Sequence, residues 1–203
     1  MRSSYILKTL SLVVSVLILF SFNNLENEKK IVVVDIGHGG SENGAFIGEI
    51  LEKDINLEIG KSLKSLNKNP NIEIILTRDD DVTLSLEDRI KNINTIQPDY
   101  LISIHSNFTK DEHINGTELF HSSLNTYAEK AGKMAKTTES VMGQKQNINK
   151  NQTANFKLLK DVDCPALMIE VGFLSNSMDF AKLTSEEGRT EIAELILESV
   201  YKF

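Results

Sequence analysis

Cysteine is almost missing from the chain. Cys164 is the one thiol in 203 residues, so no intramolecular disulfide can form. An exported protein of this size would then depend on its core or on a metal for stability. Cys164 precedes Pro165 and an apolar run, with no acid–base pattern beside it, and reads as a buried, inert thiol. Basic charge is also scarce. Lys and Arg number 22 against 29 Asp and Glu, a net charge of −7. No Lys/Arg cluster is present to neutralise phosphates, which excludes nucleic acid as a partner. No apolar run reaches the roughly 20 residues of a stable membrane span. Internal repeats and interdomain linkers are absent as well.

The first 24 residues differ from the rest. They carry Arg2 and Lys8, no acid, and an apolar stretch at 10–22 broken only by serines. This pattern predicts an export signal. Ser21-Phe22-Asn23 gives no clean small-x-small cleavage site, so an uncleaved signal anchor is the alternative. Residues 25–203 then form one domain, large enough for a real core and too small for a second module.

Within that domain, short β-branched runs alternate with helical periodicity. Strands are expected at 31–35, 72–77, 100–104, 116–121, 156–159 and 166–170. Helices are expected at 52–65, at 85–94 with Ser85 as cap, and at 126–142. A last helix should start at Thr184, with Thr184 and Glu187 as a capping box. The polar stretch 143–153 reads as a flexible surface loop. The alternation predicts an α/β domain: a mostly parallel or mixed central sheet between two layers of helices.

Three metal-competent side chains share one kind of position. His38 follows the strand IVVVD, His105 follows YLISI, and Glu52 opens a helix. Strand carboxyl ends line the ligand crevice of open α/β sheets. Two imidazoles and one carboxylate would leave a coordination position open, as in catalytic zinc sites. Glu170 closes the strand ALMIE and can face the same rim as a general base. Spacing alone is weak support, because such histidines are commonly caps or core residues.

The segments DIGHGG (35–40), LEKDINL (51–57), LTR (76–78), SIHSN (103–107) and MIEVGFLSN (168–176) occur in this order. Together they resemble the zinc-dependent N-acetylmuramoyl-L-alanine amidases of the type 3 amidase family, over nearly all of residues 31–203. Ile36 stands where that family usually has Pro. The resemblance implies one Zn²⁺ held by His38, Glu52 and His105, and Glu170 as the catalytic glutamate. It implies cleavage of the amide between N-acetylmuramic acid and the L-alanine of the peptidoglycan stem peptide.

Arg78, Arg89 and Asn107 are candidates for binding substrate. Ion pairs with Asp79–Asp81 or Asp88 are the alternative for the arginines, and loop capping for Asn107. His113 and His121 fall outside the resembling segments. The short stretch after Asn107 leaves no room for the helical plug that some relatives carry, and no wall-binding repeat is recognisable. That compact layout is similar to germination-specific spore-cortex amidases, with a general vegetative autolysin or a phage-related lysin as the alternatives. It implies an extracytoplasmic setting (membrane face, cell wall or spore intermembrane space), with a membrane tether or a protein partner for targeting. Another wall-directed zinc hydrolase (a carboxypeptidase or deacetylase), or an inactive wall-binding protein, are the competing expectations.

Overall fold

The computed structural model describes residues 29–203. The export segment expected at 1–24 lies outside the described residues. Among those described, no helix is long and apolar enough to cross a membrane.

The chain runs β1 (Lys30–Ile36), β2 (Phe46–Ile47), β3 (Ile50–Leu51), α1 (Glu52–Leu66), β4 (Ile72–Leu76), α2 (Leu86–Ile96) and β5 (Tyr100–Asn107). It continues with β6 (Thr117–His121), α3 (Ala128–Met142), β7 (Ile148–Thr153), α4 (Lys157–Asp161), β8 (Ala166–Phe173), α5 (Ser177–Thr184) and α6 (Glu186–Val200). Six strands form one mixed sheet in the order β4-β1-β5-β8-β6-β7. The first four are parallel, β6 is antiparallel to β8, and β7 is parallel to β6. The expected α/β architecture is therefore the observed one.

Strands buried on both faces read as unbroken apolar runs, and β1 does so. Val32, Val34 and Ile36 point to one face, where Ile102, Ile104, Leu167 and Ile169 join the buried sides of α1, α3 and α6. Val33 points to the other, with Leu101, Met168 and the α4 pair Leu158 and Leu159. This second layer, α2 and α4, is the thinner one.

Three expected elements differ. The polar stretch predicted as a loop contributes β7, an edge strand. Its side chains are largely exposed, so no apolar alternation marks it; backbone pairing with β6 holds it. The strand predicted at 156–159 is the short helix α4. Leu158 and Leu159 are consecutive and both buried, which a strand with one covered face cannot achieve. The last helix starts at Glu186 rather than Thr184, and an unexpected helix, α5, precedes it. Thr184 ends α5, where its hydroxyl donates to Phe180 O (2.7 Å), and Ser185 caps α6 by accepting from Gly188 N (3.1 Å). The predicted cap of α2 is observed: Ser85 Oγ accepts from Asp88 N.

Candidate metal centre

β1 ends at Ile36 and the chain turns sharply. His38 adopts a left-handed conformation (φ 59°), and Gly39 and Gly40 continue it at φ 133° and 56°. Such values are strained for most side chains and free for glycine. The turn aims His38 at the start of α1. Glu52 is the first residue of that helix and is almost fully buried. His105 comes from β5, one position before its irregular end.

These three side chains meet. Glu52 Oε1 lies 3.2 Å from His38 Nε2 and 3.0 Å from His105 Nδ1. The two imidazoles stand edge to face, with ring centroids 5.0 Å apart. One donor atom from each residue falls within 4.8 Å of the others. Glu52 is itself fixed: Oε2 accepts from Ala45 N (2.8 Å), and Oε1 accepts from Ser106 N (3.1 Å) and Asn56 Nδ2 (3.3 Å). Burial works to raise its pKa, but the hydrogen bonds from His105, His38 and Ala45 prevail and hold the carboxyl well below the usual range. His105 shifts upward: burial opposes its charge, but the Glu52 hydrogen bond and the charges of Glu170 and Glu52 outweigh it. Two nitrogens and an anionic oxygen, converging and oriented from behind, suit zinc in donor type and number.

Glu170 adjoins this group through the sheet. In register it pairs with His105 on one side and Glu118 on the other. Burial pushes its carboxyl up to about 7. The charge of His105 opposes that rise, and those of Glu52 and Glu118 add to it. A cavity of about 360 Å³ opens beside His38 and His105, walled by Leu84, Leu86, Phe156 and Met168. A larger hollow of about 690 Å³, lined by Ile47, His113, Leu174 and Met178, holds none of the four converging residues.

The other candidates lie elsewhere or are engaged. Arg78 and Arg89 are buried. Arg78 donates to the carbonyls of Ile36, Gly37, Lys53 and Asp80. Arg89 donates to the carbonyls of Ile36, His38 and Leu84 and pairs with Asp35 at 2.8 Å. Neither is a surface ion pair with Asp79–Asp81 or Asp88; most of their donors serve the protein itself, and Arg89 also lines the cavity beside His38 and His105. Asn107 donates to Glu118 Oε2 (3.1 Å) and accepts from Phe108 N. His121 sits at the end of β6 with Nδ1 buried and unpartnered, near Gly132 of α3. Sequence reasoning missed Glu118, whose other oxygen accepts from Asn149 Nδ2 (2.6 Å) and Lys150 Nζ (2.9 Å). An acid inside the run TELF, after Gly116, was its only signal.

The family model for N-acetylmuramoyl-L-alanine amidase matches residues 32–202. The chain belongs to that family. Among curated amidase relatives, the germination-specific N-acetylmuramoyl-L-alanine amidase of Bacillus subtilis is 31% identical over 193 residues, covering 85% of this chain and 77% of the relative. The probable cell wall amidase LytH of Staphylococcus epidermidis is 28% identical over 86% of this chain, which spans only 58% of that protein. Of solved structures, an N-acetylmuramoyl-L-alanine amidase from Clostridium difficile 630 superposes with a TM-score of 0.81 at 31% identity, over 86% of this chain and 96% of that one. The CwlD amidase from Clostridioides difficile, solved in complex with the GerS lipoprotein, gives 0.74 at 28% identity, over 86% and 98%.

Proposed function

We propose that this amidase cleaves peptidoglycan at the amide joining N-acetylmuramic acid to the L-alanine of the stem peptide. In this reading His38, Glu52 and His105 hold one zinc ion and Glu170 is the catalytic carboxylate. The observation that carries it is the convergence of two imidazoles on one buried carboxylate oxygen, with a second carboxylate one strand away, in a chain of this family.

When bound, the metal supplies Lewis acidity, polarising the amide carbonyl and making water a stronger acid. The rest is the work of the chain. Glu52 is kept anionic and oriented by two backbone N–H groups and Asn56. Glu170 takes a proton from the attacking water and delivers it to the amine nitrogen of the departing L-alanine. Burial raises the affinity of Glu170 for a proton above that of an ordinary glutamate, which suits a carboxylate that must accept a proton and then pass it on.

The setting we propose is extracytoplasmic, at the cell wall or the spore cortex, reached through residues 1–24 as signal or anchor. The likeness to a germination-specific amidase supports the cortex. An acidic chain is poorly held by charge on an anionic wall. That supports a tether or a protein partner, as does the structural neighbour solved with a lipoprotein.

The test is mass analysis of muropeptides after digestion of vegetative wall and of cortex. This reading predicts intact stem peptides and peptide-free glycan. Shortened stems would indicate a carboxypeptidase, loss of acetyl groups a deacetylase, and unchanged wall that sediments with the protein a binding protein.

A further inference from the structure

From Ile36 to Gly40, each carbonyl of the loop that presents His38 has a partner. Ile36 O accepts from Arg78 Nε (3.3 Å) and Arg89 Nη1 (2.6 Å), Gly37 O from Arg78 Nη2 (3.1 Å), and His38 O from Arg89 Nη2 (2.6 Å). Gly39 O accepts from Glu42 N, and Gly40 O from Lys53 Nζ (2.8 Å). The N–H groups of Gly40 and Ser41 donate to Asp81 Oδ1 and Thr83 Oγ1. Three consecutive carbonyls thus point at two buried guanidinium groups, and the middle of the three residues immediately precedes His38.

Arg89 is anchored in turn. Asp35, almost wholly buried, accepts from Arg89 Nη1 (2.8 Å), Thr77 Oγ1 (3.0 Å) and Ser103 Oγ (2.8 Å). A buried, unpaired Arg89 would be costly, so the pair holds as a unit. Charge-assisted bonds to carbonyls are about twice as strong as neutral ones, and the planar fork reaches several acceptors at fixed angles. Those bonds also stabilise a left-handed histidine, a conformation that favours glycine.

We propose that Arg89, anchored by Asp35, is a positioning residue that sets the metal affinity of the site by fixing His38 from behind. The inference rests on reading His38 as a ligand. It accounts for two buried arginines whose donors go mainly to backbone carbonyls, and for a histidine held in a costly backbone state. Hydrogen-bond partners of a ligating side chain are generally worth 10- to 100-fold in metal affinity, and a clamp on the ligand's backbone is expected to act on that scale.

The test uses the metal-free full chain, titrated with Zn²⁺ against a chromophoric chelator, and the visible spectrum of the Co²⁺-loaded protein. Arg89→Lys keeps a cation for Asp35 but cannot reach Ile36 O and His38 O together. It should bind Zn²⁺ about 10- to 100-fold more weakly and shift the Co²⁺ bands. Ile192→Val, a core truncation in α6, should lower Tm while leaving both readouts in place. Arg89→Lys with parental affinity and spectrum would overturn the proposal, as would an equal loss in Ile192→Val. If Arg89→Lys does not fold, Asp35→Asn replaces it, with about a tenfold loss expected and parental affinity as the contrary result. His38→Ala separates the two levels: parental Zn²⁺ affinity there would refute the ligand reading itself.

Discussion

A methyl group on Gly37 would lie 2.6 Å from both ring nitrogens of His105. The two residues are neighbours across β1 and β5, where Gly37 N donates to Ile104 O, and the imidazole occupies the space a side chain would fill. Gly37→Ala should therefore displace the His105 ring without straining the backbone at 37. The expected outcome is a folded protein with at least about tenfold weaker Zn²⁺ binding and a matching loss of turnover. Circular dichroism and a metal titration check it together.

Glu170 gives a pH prediction with a definite sign. Its pKa in the folded, metal-free protein is about 7, against 4.5 for an ordinary glutamate. The folded state therefore holds the proton more tightly than the unfolded one. The stability this contributes is complete below about pH 4.5 and is lost as pH rises through about 7. Glu170→Gln, which stays neutral, should match the parent near pH 4 and exceed it above pH 7, by at most roughly 3 kcal/mol. Urea unfolding of the two metal-free proteins at both pH values measures the difference. The same variant should keep its zinc and lose turnover.

Much of this arrangement is legible in the sequence, for physical reasons. β1, β5 and β8 are covered on both faces, so they appear as continuous apolar runs, and a metal-competent residue near the end of each is conspicuous. β7 is not legible because an edge strand with solvent-facing side chains has no apolar pattern to show. The adjacency of Glu170 to His105, 65 residues apart, is set by strand register, which no local pattern records. Arg78 and Arg89 mislead for a related reason. A charge beside acidic neighbours reads as a surface feature until the fold shows a turn whose carbonyls take up its donors.

Gly60 makes a packing prediction. A Cβ there would overlap the Cδ1 methyl of Ile36, which is fully buried against α1. In an exposed helix Gly→Ala gains about 1 kcal/mol. Here overpacking should reverse the sign, leaving Gly60→Ala destabilised by roughly 1–2 kcal/mol. Adding Ile36→Val, which removes the Cδ1 methyl, should restore most of it. Denaturant midpoints of the two single variants and the double variant give the coupling.

Cys164 should be inert in the native protein. Burial, with the charge of Asp163, pushes its thiol up to about 12. At pH 8 only about one molecule in ten thousand would carry the thiolate, and that one is covered. Ellman's reagent should find no thiol in the folded chain and one after unfolding. Rapid native labelling would show that the strand at Ala166 opens readily.

The most direct test of the central claim couples metal content to the bond broken. The purified chain, stripped with chelator and titrated with Zn²⁺, is given soluble muropeptides while new L-alanine α-amino groups are counted. The account predicts none without metal, and full release restored at one zinc per chain. Undiminished amine release after complete metal removal, or zinc-restored cleavage at any other bond of the substrate, would contradict it.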